Sequence, residues 1–300
     1  MSSSRRSRGL RNVAAYTALL PMAATVLLAY VGTMLWSIKV SFSSSRTLPI
    51  DNFVGMTQYA KLFETERWAL SLQNMALFGV LFVIGCMVLG FALAVFIDQK
   101  VKGEAVLRTV FLYPYAVSFV ATGLVWQWLL NPELGLQSTV RSWGFESFTL
   151  DWIVQQDAVM YAIALAAVWQ ASGLVMALML AGLRGIDDSL WKAARIDGIP
   201  TWRVYVSIVL PMLGPSIGTA LVLLSVGVVK VFDVVVAMTQ GGPGLASEVP
   251  AKFIMDNLFG RANIGLASAA STVLLITVLA VVAPWLYVRH RAGGAERSHG

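Results

Sequence analysis

Six stretches of this 300-residue chain stay apolar for long enough to leave water: 14–36, 74–97, 106–130, 158–183, 212–236 and 266–288. A helix rises about 1.5 Å per residue, so each run spans a hydrocarbon layer of about 30 Å. The pattern predicts an all-α integral membrane chain of about six transmembrane helices. In the third run, Tyr113-Pro114-Tyr115 interrupts the apolar sequence. Proline is tolerated inside a membrane helix when neighbours satisfy the carbonyl it frees. The first run follows Arg5, Arg6, Arg8 and Arg11, like the basic start of a signal peptide. It is too long for a signal core and ends in no small-x-small site, so it is expected to be retained.

The polar segments between the runs alternate in charge. Fourteen basic residues fall on one side, in 1–13, 98–108, 184–203 and 289–300; seven fall on the other, and Lys230 lies within a run. The positive-inside rule places the first set in the cytoplasm. Both termini are then cytoplasmic, as an even number of spans requires. The long segments 37–73, 131–157 and 237–265 are external and carry most of the acidic residues outside the spans. The N-terminal segment 1–13 and the tail 289–300 are expected to be short polar ends, with Gly293-Gly294-Ala295-Glu296 disordered.

Composition agrees. Only 13% of residues are charged and 57% are hydrophobic, with mean hydropathy +0.72; a soluble domain carries about 25% charge. The net charge of +6 would suggest nucleic-acid binding in a soluble protein, but here it marks topology. Cys86 is the single cysteine, which allows no intrachain disulfide and no zinc spacing.

One cytoplasmic segment is long: 184–211. Asp187 is placed to cap a short helix over Leu190–Ile196, and Asp197-Gly198 is a turn signal. Pro200 suits the first turn of a second helix, on which Trp202, Tyr205, Val206 and Val209 share a face. A compact helix–turn–helix at the membrane surface either anchors two span ends or docks a soluble partner, and these physical arguments leave both open.

The residues of this segment resemble the signature loop of binding-protein-dependent ABC importer permeases. That signature is Glu-Ala-Ala, three residues, Gly, nine residues, Ile, one residue, Leu-Pro. Ala193, Ala194, Gly198, Ile208, Leu210 and Pro211 match in identity and spacing, and Asp197 matches the usual residue before the glycine. Lys192 stands where the glutamate is expected, and Ile199 replaces a frequent alanine. Phe53-Val54-Gly55-Met56-Thr57-Gln58-Tyr59, Trp128-Leu129-Leu130-Asn131-Pro132-Glu133-Leu134-Gly135 and Met238-Thr239-Gln240-Gly241-Gly242-Pro243-Gly244 are similar to external segments of the carbohydrate-uptake, maltose-type group. Trp191–Pro200 and Glu248–Phe253 look closest to α-glucoside or glucose/mannose permeases.

The resemblance implies a type I ABC importer permease. Its core would run over 70–288 after a first helix at 14–36, with a coupling loop at 184–211 docking an ATPase. The implied coupling residues are Lys192, Ala193, Ala194, Asp197, Gly198, Ile208, Leu210 and Pro211. It implies a bacterial inner-membrane location and three partners: an ATPase dimer, a second homologous permease and an extracytoplasmic sugar-binding protein. These 300 residues hold no Gly-x-x-x-x-Gly-Lys-Ser/Thr loop, so no cofactor is expected on this chain. ATP and Mg would sit on the ATPase. The chain itself is expected to be a transport subunit, not an enzyme.

Candidates for the solute path are Asn74, Gln127, Trp169, Gln170, Lys230 and Asp233. Amides match sugar hydroxyls but also bind helices together. Lys230 and Asp233, three apart in the fifth run, would share a helix face. They read either as a polar lining or as an internal ion pair or snorkelling pair. Trp169, and with it Trp126, falls away from the span ends where aromatic belts gather. A self-contained secondary transporter would show inverted repeats, and none is evident. An intramembrane enzyme would need a catalytic pair at depth, yet His290 and His299 both fall on the tail.

Overall fold

In the computed structural model the described residues are 17, 19–50, 52–99 and 101–296. The expected N-terminal segment 1–13, the start of the first span at 14–16, Lys100 and residues 297–300 lie outside them. Among the described residues no strand forms, and one isolated bridge joins Ser43 to Phe53. The chain falls into two compact units, 1–64 with 254–273 and 65–253 with 274–300.

In the first unit, helix α1 (Leu19–Ser41) ends five residues beyond the predicted span. It carries Lys39 in its last turn, where a cation complements the helix dipole. Helix α2 (Thr57–Glu64) follows. Gln58 donates from Nε2 to the Ser43 carbonyl at 2.9 Å, and the Gly265 amide donates to the Ser45 carbonyl at 2.9 Å. A buried serine cluster, Ser41, Ser43 and Ser45, is thus satisfied internally, as buried polar groups must be.

The second unit is built on α3 (Glu66–Asp98) and α7 (Val159–Leu183). α3 starts eight residues before the apolar run, with Glu66 in its first turn, where the dipole favours a carboxylate. α7 coincides with the fourth predicted span within a residue. It is apolar all round and buried along most of its length, as expected of a central helix. Its buried positions are largely small: Ala162, Ala164, Ala166, Ala167 and Ala171. Small residues let membrane helices approach closely.

The third predicted span is not one helix. α4 (Glu104–Ala116) and α5 (Phe119–Leu129) meet at 97°. Pro114 removes an amide donor, Val117 is extended, and the Ser118 side chain accepts from the Ala121 amide at 3.1 Å to cap α5. The fifth predicted span is also divided. α9 (Thr201–Met212) meets α10 (Gly214–Val229) at 72°, where Pro211 and Pro215 flank Leu213. α10 then ends, and α11 (Asp233–Thr239) begins after a non-helical Val231-Phe232. Two pieces are short: α6 (Leu136–Ser142), and α8 (Asp188–Ile196) in the 184–211 loop.

α12 (Pro250–Met255) leads through a wide turn to α13 (Ile264–Glu296), which contains the sixth run. The polar end expected to be disordered continues this helix to Glu296. A helix already started adds one bond per residue, and two glycines cost it only about 1 kcal/mol each. Among the described residues three helices, α1, α3 and α7, are long and apolar enough to span. The two bent pairs bring the number to five, and α13 carries the sixth apolar stretch.

Candidate functional site

The 184–211 loop folds as a tight pair of helices. Asp187 caps α8, accepting the Ser189 amide at 2.7 Å. That hydrogen bond holds the Asp187 carboxyl below its ordinary range. At the other end the Gly198 amide reaches the Arg195 carbonyl at 3.2 Å and the Ile199 amide reaches the Ala194 carbonyl at 3.0 Å. These two bonds form a Schellman closure. Its pivot, Gly198, has φ +67° with open space where a Cβ would lie. Backbone conformation, not crowding, therefore requires glycine there.

Pro200 falls one residue earlier than expected, as the N-cap of α9. Within α9 the segment Tyr205–Val209 widens to a π-helical turn, which shifts the side-chain register. Tyr205 and Val209 are buried, but Trp202 and Val206 are exposed. The expected single face of four residues is therefore split in two. Such π turns recur at functional sites.

The element has an inner and an outer side. Ala194 is buried, and Ile208 and Leu210 are half-buried. Trp191 packs on Tyr205 with ring centroids 5.2 Å apart. The outer side presents Lys192, Ala193, Asp197, Gly198 and Pro211, together with Ile196 at 85% and Trp202 at 66% exposure.

The path candidates separate. Asn74 donates to the backbone carbonyl of Glu248 at 3.0 Å and so ties α3 to the segment after α11. Beside it Arg67 grips the buried Glu248 carboxylate at 2.6 Å. Gln170 donates from Nε2 to the Val117 carbonyl at 2.7 Å, which is the carbonyl freed at the α4–α5 break. Its Oε1 is buried with no partner. Trp169 is exposed and packs edge-on to Trp126 at 6.0 Å; Gln127 is half-buried. Lys230 ends α10 and Asp233 opens α11, both exposed. The helix breaks between them, so they share no continuous helix face, and no ion pair joins them among the described residues. Asn74 and Gln170 thus brace backbone, whereas Trp169, Gln127, Lys230 and Asp233 remain available to a path.

Sequence reading missed the long-range braces. Glu104 receives Arg108 from its own helix and Arg184 at 2.6 Å, and Tyr205 donates to Asp98 at 3.3 Å. The Glu104–Arg108 spacing of four is visible in the sequence. Arg184 and Asp98 come from other elements, and nothing local marks them.

The chain is thus a helical, multi-span membrane fold with a compact helix–turn–helix between α7 and α10. The chain belongs to the family of binding-protein-dependent transport system inner membrane components, whose pattern matches residues 87–292. It is 36% identical over 266 residues to a probable ABC transporter permease protein of Pyrococcus horikoshii, covering 88% of this chain and 90% of that one. It is 30% identical over 279 residues to the xylose/arabinose import permease protein of Haloferax volcanii, covering 92% and 87%. Its fold matches a chain of a bacterial ABC transporter involved in the import of the acidic polysaccharide alginate, with TM-score 0.83 and 19% identity over 96% of this chain and 99% of that one. The architecture is that of an ABC importer permease, and the protein is a multi-pass membrane component of such a transporter.

Proposed function

We propose that this chain forms half of the translocation path of a sugar importer and couples it to ATP hydrolysis through the 184–211 loop. The observation that carries this reading is the outer side of that loop. Ile196 and Trp202 stand exposed beside Lys192, Ala193 and Gly198, on an element rigidly closed by its own backbone. Exposed apolar groups on a rigid polar loop are what a docked protein covers. The partner is an ATPase dimer that binds ATP and Mg. Its movement reaches the bundle through the element around Ala193–Gly198, with Ala194, Ile208 and Leu210 holding it to the span ends.

A second homologous permease supplies the other half of the path, and an extracytoplasmic binding protein delivers the solute. Support for a sugar comes from the relatives named for xylose/arabinose and for trehalose/maltose import. The excess of basic residues on the loop side supports cytoplasmic termini, with residues 70–288 as the permease core. The two bundles alternate between outward-open and inward-open states as ATP binds and is hydrolysed.

The test is purification of the tagged chain in mild detergent, with mass spectrometry of what accompanies it. An ATPase and a second permease are expected. Recovery of the chain alone, under conditions that preserve membrane complexes, contradicts the reading and favours a self-contained transporter.

A further inference from the structure

Behind the coupling loop lies a cavity of about 660 Å³, walled by Asp98, Glu104, Arg184, Trp191 and Tyr205 among others. It separates the inner side of α8 and α9 from the cytoplasmic ends of α3 and α4. Two polar contacts bridge its rim. Tyr205 of α9 donates to Asp98 at the end of α3, at 3.3 Å. Arg184, the first residue after α7, donates to Glu104, the first residue of α4, at 2.6 Å. The first is a long bond from a neutral hydroxyl. The second is short and joins two full charges, the stronger class of hydrogen bond.

Glu104 is also held by Arg108 on its own helix, and the same carboxylate oxygen accepts from both arginines. With side chains 25% and 42% exposed, the pair adds little to folding stability. Its position is more telling. Glu104 begins the helix that, 97° beyond its break, continues as α5, and α5 packs along α11. A pull on Arg184 therefore reaches the α4–α5 pair directly.

We infer that Glu104 is a positioning residue that makes the broken third span follow the coupling loop. This rests on the permease reading above. On this view α3 is held only loosely to the loop through Asp98, and α4–α5 is the first part of the bundle to move.

The test uses the intact complex with its ATPase, with Val125→Cys on α5 carrying an environment-sensitive bimane. Cys86 is buried and contributes little labelling. ATP with vanadate is expected to shift the bimane emission in this parent. Glu104→Gln should reduce the shift to less than about a fifth while ATP hydrolysis and ATPase retention persist. Arg184→Gln should do the same, and the double variant should add nothing further. An undiminished shift in Glu104→Gln overturns the inference alone. So does no shift in a parent that hydrolyses ATP, and so does a loss of ATPase retention in step with the shift, which makes the pair merely structural. Absence of an ATPase from the parent preparation overturns the permease reading itself.

Discussion

Gly198 and Asp187 bound α8, and each owes its identity to backbone geometry. At φ +67° an ordinary residue is strained by about 1–2 kcal/mol, and proline, fixed near −65°, is incompatible. Gly198→Pro is expected to abolish transport while membrane insertion and protein level stay normal. Gly198→Ala should lower transport several-fold, and Gly198→Asn should fall between Gly198→Ala and the parent. Normal uptake by the proline variant would remove the lever role. Asp187 adds a pH dependence whose sign follows from its lowered pKa. Its cap stabilises α8 above the ordinary carboxylate pKa and is lost as pH falls through the lower folded value. The protection factor of the Ser189 amide, its exchange rate corrected for the intrinsic pH dependence, should therefore fall on acidification in the parent. In Asp187→Asn, which keeps an acceptor that does not titrate, it should not.

At the scale of elements, legibility differed with the range of the interaction. The fourth span and the helix–turn–helix of the loop were readable because apolar periodicity and Asp-Gly chemistry are local. The breaks were only half readable. Pro114 announces a disturbance, but a 97° bend also needs a donor for the freed carbonyl, and Gln170 supplies it from 53 residues away. The π turn in α9 has no sequence mark, so the face shared by Trp202 and Tyr205 was misjudged. Gln170 illustrates the same limit, since an amide within an apolar run reads equally as a solute contact or as a tie between helices until its partner is seen. Gln170→Leu leaves the Val117 carbonyl without its donor, and a buried orphan costs about 1–3 kcal/mol. It should lower the thermal midpoint of the detergent-solubilised protein with little change in solute affinity. A Cβ on Gly173 would lie 2.1 Å from the Phe111 carbonyl oxygen, so Gly173→Val should be worse and reduce the folded yield sharply. A Gln170→Leu protein of parental stability and altered affinity would place this residue in the path instead.

At the scale of the whole molecule, an apolar bundle must accommodate charge. Lys230 and Asp233 are exposed on this chain, at a helix break, with no ion pair between them. Charges at membrane depth face a partner helix or an aqueous cavity, because facing lipid is costly. The half-path proposed above, closed against a second permease, would provide such a cavity, and a break in the helix would turn backbone groups towards it. The two charges are legible in the sequence but the break is not, since Lys230-Val231-Phe232-Asp233 contains neither proline nor glycine. Thiol labelling can locate them. In Asp233→Cys, a membrane-impermeant maleimide should react readily in the assembled complex, and the rate should change when ATP and vanadate are added, as the path switches sides. Cys86, buried in α3, keeps the background low. A thiol at 233 that stays unreactive in both states faces lipid or a closed subunit contact, and Asp233 then lies outside the path. A thiol that reacts equally in both states lies in water that the alternating movement never closes, and the gate belongs elsewhere along the bundle.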